Sequence, residues 1–319
     1  MPRGSDSGEV AVKDVPPPWI ALGARSLRSL RARVRPLQDR IRPLLPLLRV
    51  LGFVGAVGIV AYMGIRAARE VKPEDLRFWP LPLALLGAAT WWLLLARGWG
   101  VLLNGRSRWS DISVWCRTQA LRFLPGGIWA PASRVTVVHG RTLDKLSTVA
   151  AENLLALAAA VSLGGLALGV SGKWPYLGLV PAIALPLLAS RYLQRYTRVA
   201  PARTLRATVN YVIAFAAYGG AAVLVQASVS GNTHLLAVAG AATIAWAAGL
   251  VVVFAPSGVG VREVVYVALL SGMFPKAELA AAAVTMRLIM IVAELAVLVL
   301  AGRPPQSSQP PSAPPSASL

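Results

Sequence analysis

The sequence contains very few of the residues on which metal binding and redox chemistry depend. One cysteine, Cys116, and two histidines, His139 and His234, occur in 319 residues. A single cysteine cannot form an internal disulfide, and two histidines so far apart in the sequence form no ligand cluster. The stretch GVGVRE, beginning at Gly258, lacks the lysine of a nucleotide-binding loop and the soluble strand that precedes one. We therefore expect no metal and no cofactor.

Charged residues are also scarce. They make up 14% of the chain, whereas hydrophobic residues make up 56% and the mean hydropathy is +0.60. Ordinary soluble domains carry roughly 25% charged residues, so this composition indicates a membrane protein. The 32 Lys and Arg residues outnumber the 13 Asp and Glu residues. Most of this excess lies in blocks between apolar segments, which indicates contact with a membrane surface and not with nucleic acid.

Composition divides the chain into four parts. Residues 1–18 are polar and end in three prolines, and residues 303–319 are rich in proline and serine, so both are predicted to be disordered tails. Residues 19–44 alternate arginines with apolar residues at helical spacing, which is typical of a basic amphipathic segment on an anionic membrane surface. A cleaved signal peptide is the other interpretation, but the basic region is too long for one. Residues 45–302 form the predicted transmembrane domain.

The transmembrane domain is predicted to be an all-α, polytopic (multi-pass) helical bundle. Seven segments are apolar enough and long enough to cross roughly 30 Å of hydrocarbon, namely 46–65, 79–96, 147–170, 174–190, 207–229, 234–254 and 280–301. Ten basic residues lie within the first 49 positions. By the positive-inside rule they hold the N-terminus in the cytoplasm, in a plasma (inner) membrane.

Two further segments, 111–138 and 255–275, are apolar but interrupted. Each contains the pattern Phe-x-Pro-x-Gly, as FLPGGIW from Phe123 and as FAPSGVG from Phe254. Non-helical backbone at membrane depth is tolerated only where protein or a water-filled cavity surrounds it, so both segments are predicted to be re-entrant or broken helices. Two such elements separated by apolar spans are the arrangement expected of an inverted repeat whose halves meet at a binding site. Two unrelated turns at the ends of loops would give the same pattern.

Ionisable residues accompany both copies of the motif and lie inside apolar segments. They are Arg122, Arg134, Glu152, Arg262, Glu263, Arg287 and Glu294. Arg287 and Glu294 are seven residues apart, so they share one face of a helix and lie about 10 Å apart along its axis. Charges inside a membrane are costly and are functional candidates by default. The alternative is structural ion pairing, for instance of Glu294 with Arg287 or Arg262.

The residue types suit an anionic headgroup. Arginine can hold a phosphate with two hydrogen bonds, and the backbone N–H groups of a glycine turn at the start of a half-helix add partial positive charge. The turn residues in question are Pro125, Gly126, Gly127, Pro256, Gly258 and Gly260. Tryptophans crowd the first half of the chain. We expect most of them, Trp91, Trp92, Trp99, Trp109 and Trp115, to form an interfacial belt, and Trp129 to line a cavity.

These motifs resemble a known family. RFLPGGIW (122–129) followed by Arg134, and FAPSGVGVREVVYVALL (254–270) followed by AAAVTMRLIMIVAEL (281–295), are similar to the paired motifs of the lysylphosphatidylglycerol synthase transmembrane region, also called the flippase-like domain. Members of that family read close to PGG-x-GVRE in the second motif, so Ser257 stands where they usually have glycine. The resemblance covers roughly residues 45–302.

The resemblance implies inverted repeats with re-entrant helices, and movement of aminoacylated phosphatidylglycerol or other lipid-linked substrates between leaflets. Full-length synthases of the family add a soluble domain that transfers the amino acid from tRNA. The short tail 303–319 is too small to be that domain. We therefore expect a transporter and not an enzyme.

The expected function is thus translocation of an anionic phospholipid, an aminoacylated phosphatidylglycerol or a polyprenyl-phosphate-linked saccharide. A separate aminoacyl-transferase or glycosyltransferase is a possible partner, as is a second copy of the chain. The alternative is a non-transporting accessory or scaffold subunit for a lipid or cell-envelope glycan enzyme, with purely structural arginines. A membrane-embedded transferase is less well supported, because no Asp/His catalytic constellation occurs.

Overall fold

The computed structural model describes residues 55, 58–66, 69–70, 76–119, 121, 129–137, 142–172, 199–231, 234–252 and 256–301. The predicted tails 1–18 and 303–319 and the amphipathic segment 19–44 lie outside these residues. Within them the chain is almost entirely helical and forms no strand, so the prediction of an all-α protein is confirmed for this part. Residues 58–66 are helical, and the helices that follow are α1 (Leu81–Asn104), α2 (Trp109–Gln119), α3 (Trp129–Val137), α4 (Thr142–Val170), α5 (Pro201–Val229), α6 (Leu235–Val251), α7 (Val261–Leu270) and α8 (Lys276–Leu300).

Four of these helices, α1, α4, α5 and α8, are long and apolar enough to cross a membrane. They correspond to the predicted spans 79–96, 147–170, 207–229 and 280–301. Helix α6, within the predicted span 234–254, has only 17 residues and is about 26 Å long. The predicted span 46–65 is described only in part, and the predicted span 174–190 lies outside the described residues. A helical membrane protein is therefore supported, while the count of seven spans stays a prediction.

Helices α1 and α5 form an antiparallel pair at the centre of the bundle. At one end the N–H of Arg77 donates to the carbonyl of Ser228 at 2.8 Å, and at the other the Arg203 side chain donates to the carbonyl of Leu103 at 3.3 Å. Gly98 makes this close approach possible, because a Cβ there would lie 2.6 Å from the Tyr211 ring. Large buried aromatic side chains fill the space between α1 and α5. They are those of Trp91, Trp99, Tyr211 and Phe215.

Small residues bring α4 against α6. A Cβ on Gly164 would lie 2.4 Å from the Thr243 hydroxyl, and one on Gly240 would lie 2.9 Å from the carbonyl of Gly164. Close backbone contact through glycine is a common way for helices to associate in a membrane, where no hydrophobic force drives them together. The C-terminal half of α4 therefore lies beside the first half of α6.

The described bundle has two ends. At one, called here the 230 end, the ring of His234 before α6 lies 5.5 Å from that of Phe274 before α8. At the other, the 104 end, the Ser113 hydroxyl of α2 donates to the carbonyl of Ala301 after α8. Helices α1, α6 and α8 thus begin at the 230 end, and α5 and α4 begin at the 104 end.

Three helices are too short to cross a membrane. Helices α2, α3 and α7 have 11, 9 and 10 residues, which corresponds to about 14–17 Å, roughly half the hydrocarbon thickness. Helix α7 is preceded by a break at Pro256–Gly258, where Ser257, Gly258 and Gly260 have φ angles of 57°, 66° and 81°. The interruption predicted in 255–275 is therefore present, whereas its re-entry into a membrane stays a prediction.

Candidate functional site: two cavities on either side of a tryptophan pair

Most of the described site residues line two cavities inside the helical bundle. The first, called the Arg262 cavity, has a volume of about 50 Å³ and is lined by residues of α1, α5, α6, α7 and α8, including Arg262, Glu263 and Arg287. The second, called the Arg134 cavity, has a volume of about 190 Å³ and is lined by α1, α2, α3, α4, α6 and the break before α7. Trp91 and Trp92 line both cavities and form their common wall.

The Arg262 cavity contains an ion pair between α7 and α8. The Arg287 guanidinium lies 3.6 Å from Oε1 of Glu263, and the side chains are 15% and 4% exposed. The other carboxylate oxygen, Oε2 of Glu263, has no hydrogen-bond partner within the described residues. The distance between the two charged groups is therefore long for an ion pair, and one oxygen of the Glu263 carboxylate has no partner within the described residues. Two arginines and one glutamate line this cavity, and the carboxylate of Glu294, further along α8, also acts electrostatically on Arg262.

Arg262 lies in a notch between two glycines. A Cβ on Gly249 of α6 would lie 2.6 Å from Cγ and Nε of Arg262, and a Cβ on Gly258 would lie 2.9 Å from the same Nε. The guanidinium is placed 5.6 Å from the centre of the Trp246 ring, which is a cation–π distance. Its Nε has no hydrogen-bond partner within the part of the chain described. Gly249 could not be predicted from the sequence, because a glycine in an apolar helix carries no chemical signal of its own.

Helix α7 is also fixed by a buried polar contact. The Tyr266 hydroxyl donates to Oε1 of Gln226 on α5 at 2.9 Å, and Gln226 is fully buried. A buried amide must be hydrogen-bonded to be tolerated, so this contact sets the rotation of α7 against α5. Tyr266 lines the Arg262 cavity three positions after Glu263. The contact therefore orients the face of α7 that carries the carboxylate.

The Arg134 cavity contains a satisfied ion pair. The Arg134 guanidinium on α3 pairs with Oε2 of Glu152 on α4, and the Trp115 indole of α2 donates to Oε1 of Glu152 at 2.7 Å. The guanidinium also lies 5.7 Å from the centre of the Trp115 ring and 6.0 Å from that of Trp99. Both carboxylate oxygens are thus occupied, and the cation is enclosed by aromatic rings. The pair is electrically neutral and joins three helices.

The remaining polar lining of the Arg134 cavity is uncharged. It consists of Gln119, Asn153 and Ser257. Gly258, from the second copy of the motif, lines the same cavity. The break before α7 therefore lies beside the ion pair that follows the first copy, while Arg262 and Glu263, a few positions further on, line the other cavity. Arg134, which follows the first copy, and Gly258, which belongs to the second, thus lie around the same tryptophan wall.

The expectation of an interfacial tryptophan belt is wrong for most of the residues concerned. Trp91, Trp92, Trp99 and Trp115 are buried within the bundle, where the rings of Trp91, Trp92 and Trp115 contact other aromatic rings. Only Trp109, of this group, is exposed. The centroids of the Trp91 and Trp92 rings are 4.8 Å apart and the rings meet edge to face. Tryptophan is both the most amphipathic and the largest apolar side chain, so sequence alone favours an interface and a core equally.

The remaining predicted residues are placed as follows. Arg122, Pro125, Gly126 and Gly127 lie outside the described residues, and nothing is described of the side chains of Trp129 and Pro256. Gly260 is buried and is the N-cap of α7. Glu294 lies on α8 but lines neither cavity. No group of three metal-ligating side chains occurs in the described part of the chain.

One side of the Arg262 cavity reaches the outer surface of the bundle. Ile291 lines the cavity and is 37% exposed, one turn along α8 from Arg287. Leu288, Val292 and Leu295, on the neighbouring surface of α8, are more exposed still. An apolar surface of this kind is suited to lipid. Arg287 therefore lies one helical turn from a part of the cavity rim that is open to this apolar outer surface.

Comparison with known protein families finds none that matches this chain, and comparison with curated proteins likewise finds no match. The resemblance to the flippase-like domain therefore depends on the two motifs alone.

Proposed function

We propose that the protein moves an anionic lipid headgroup between the leaflets of the inner membrane, with the Arg262 cavity as the headgroup site. The observation that carries the proposal is a pair of arginines in a cavity inside an apolar bundle, where Nε of Arg262 has no hydrogen-bond partner within the described residues and Arg287 approaches Glu263 only to 3.6 Å. An arginine at membrane depth is costly unless its charge and its hydrogen-bond donors are all satisfied. An anionic ligand would remove that cost.

Helix α7 adds to the positive potential of this cavity. Its N-terminus, at Gly260 and Val261, directly precedes Arg262 and Glu263. The N-terminal end of a helix carries roughly half a positive charge, together with backbone N–H groups that lack helical partners. A phosphate held by the two guanidinium groups would be favoured by the same end of the helix. The substrate classes that fit are an anionic phospholipid, an aminoacylated phosphatidylglycerol and a polyprenyl-phosphate-linked saccharide.

The test is a reconstituted transport assay. The wild type in liposomes should speed the exchange between leaflets of phospholipids that carry a fluorophore on an acyl chain, measured by quenching of the outer leaflet. Arg262→Gln and Arg287→Gln should each lower that rate at least tenfold for anionic lipids. Arg206→Gln is the matched control, because Arg206 is an exposed arginine on α5 that lines neither cavity.

Arg287→Lys is a second test of the same position, for the case in which Arg287→Gln does not fold. It keeps the charge beside Glu263 but presents a single donor group in place of the planar fork. We expect this variant to fold like the wild type and to transport at an intermediate rate. If folded Arg262→Gln and Arg287→Lys proteins both transported at the wild-type rate, the headgroup role would be excluded.

The alternative, an accessory or scaffold subunit, is favoured by a different observation. The Arg134–Glu152 pair is fully satisfied and joins α3 to α4, as a purely structural ion pair would. Under this alternative the wild type would move no lipid of any class, and it would copurify with a membrane transferase.

A further inference from the structure

We infer that the Arg134 cavity is a second subsite, which takes the uncharged, hydroxyl-rich part of the headgroup whose phosphate occupies the Arg262 cavity. This inference rests on the proposed function and names its substrate class: a monoanionic phosphodiester that carries a polyol or a sugar. It follows from a difference between the two cavities. In the Arg262 cavity some charged groups lack hydrogen-bond partners, whereas in the Arg134 cavity the charged groups pair with each other.

In the Arg262 cavity, charged groups lack partners. Nε of Arg262 and Oε2 of Glu263 have no hydrogen bond within the described residues, and Arg287 approaches Glu263 only to 3.6 Å. Buried polar groups of this kind are nearly always satisfied in a native protein, by ordered water or by a ligand where protein partners are absent. The guanidinium groups of Arg262 and Arg287 both line this cavity, and the two free oxygens of a phosphodiester can accept hydrogen bonds from both. A phosphodiester carries one negative charge.

In the Arg134 cavity, the charged groups satisfy each other. Arg134 and the Trp115 indole occupy both oxygens of Glu152, so this pair offers little to a charged ligand. What remains on the wall is amide and hydroxyl, from Gln119, Asn153 and Ser257, beside the rings of Trp92 and Trp115. Amides and hydroxyls bond to hydroxyl groups as both donors and acceptors, and aromatic rings pack against the C–H faces of polyols and sugars.

The two cavities are neighbours. Trp91 and Trp92 line both, and the break at Ser257 and Gly258 lies on the wall of the Arg134 cavity only a few residues before Arg262. Arg262 itself lies between Gly249 and Gly258, which both line the Arg134 cavity, so a ligand whose phosphate lies at Arg262 and Arg287 would have its polar substituent beside that cavity. A cationic substituent would gain nothing there, because Glu152 is already paired.

Headgroup preference provides the test. The rates for acyl-labelled phosphatidylglycerol, which bears a glycerol, and phosphatidic acid, which bears none, are compared in the liposome assay. The wild type should move phosphatidylglycerol at least fivefold faster. Asn153→Leu should lower the phosphatidylglycerol rate far more than the phosphatidic acid rate, whereas Arg262→Gln should lower both equally. Arg206→Gln should leave the wild-type preference in place. Equal wild-type rates for the two lipids would overturn the inference and leave the proposed function intact.

A binding measurement separates failure of the inference from failure of transport. Thermal unfolding in detergent is followed with added phosphatidylglycerol, phosphatidic acid or soluble glycerophosphoglycerol. Stabilisation by phosphatidylglycerol above phosphatidic acid in the wild type, and its loss in Asn153→Leu, would support the subsite even if no lipid were transported. Equal stabilisation by both lipids would overturn it. Glycerophosphoglycerol, if as effective as the lipid, would assign the site to a free phosphodiester, and if ineffective would assign it to a membrane lipid.

Discussion

Gly249 shows how one residue without a functional group can determine the position of a charged one. The side chain of Arg262 lies where a Cβ of residue 249 would be, 2.6 Å from its Cγ and Nε. Cγ belongs to the aliphatic stem of the arginine and Nε to its guanidinium group, so both parts of the side chain must move if the methyl group is added. The absence of a side chain on α6 is therefore what positions the cation of α7.

We expect Gly249→Ala to destabilise the protein by about 1–3 kcal/mol, the usual cost of overpacking, and to lower transport as Arg262→Gln does. Combining it with Arg262→Ala should restore most of the stability, because the clash is then absent and the two effects are not additive. Thermal unfolding of the two single variants and the double variant measures this. The control is Gly220→Ala on α5, where a Cβ would meet no atom within 4 Å. If the losses of stability in Gly249→Ala and Arg262→Ala were additive in the double variant, the predicted clash between residue 249 and the Arg262 side chain would be contradicted.

At Ser257, the backbone conformation determines how a substitution changes the stability of the protein. Its φ of 57° is in the left-handed region, which costs an L-residue roughly 1–2 kcal/mol and glycine almost nothing. We expect Ser257→Gly to be neutral or to raise the free energy of unfolding by up to about 1 kcal/mol, since glycine also gains freedom in the unfolded chain. Ser257→Val should be destabilising. A clear loss of stability in Ser257→Gly would show that the hydroxyl is bonded in the folded protein.

At the scale of elements, the Arg134–Glu152 pair holds three helices together. Removing one partner of a buried pair leaves an uncompensated charge, at a cost of about 3–5 kcal/mol. We expect Glu152→Gln and Arg134→Met each to lower stability by that amount. The double variant Arg134→Met/Glu152→Leu should lose less stability than the two single variants lose together. Thermal unfolding in detergent measures this difference.

The comparison for this pair is Arg66–Glu70, which lies at the surface with side chains 40% and 45% exposed. An exposed pair at this spacing contributes less than about 1 kcal/mol, so Glu70→Gln should barely change the unfolding temperature. Similar losses for Glu152→Gln and Glu70→Gln would indicate that water screens the Arg134 cavity as it screens the surface.

For the whole molecule, the arrangement of helices predicts which positions lie on opposite sides of the membrane. Residue 106 follows α1 at the 104 end, and residue 271 precedes α8 at the 230 end; both are exposed. Cys116 is buried, so the wild type should be nearly unreactive toward a membrane-impermeant maleimide and can serve as the background. Arg106→Cys should be labelled only from the cytoplasm, and Ser271→Cys only from outside. Labelling of both from one side would contradict the topology.

The sequence predicts the long helices well, since hydropathy depends on local composition alone. The segments 79–96 and 280–301 both occur as apolar helices, although α1 continues to Asn104 and α8 begins at Lys276. The polar residues at those ends lower the hydropathy without breaking the helix. The break before α7 was predictable for the same local reason, because Pro256 and the two glycines after it disfavour a helix.

The site was predictable in its residues but not in its contacts. Helical spacing shows that Arg287 and Glu294 share a face, yet the partner found for Arg287 is Glu263, on a different helix. The same limitation applies to Arg134 and Glu152 and to the notch at Gly249. Such contacts depend on how helices pack, and packing is decided by side chains distant in sequence.

If the protein moves lipid as proposed, the exposed rim at Ile291 bears on which part of the lipid determines the rate of transport. A lipid whose phosphate lies at Arg287 can leave its tails in the bilayer, beside Ile291 and the apolar face of α8. The tails would then never be transferred out of hydrocarbon, and the barrier would depend on the headgroup alone. Phosphatidylglycerols of different chain length should accordingly cross at the same rate, so that the protein would be selective for the head of its substrate and indifferent to the rest.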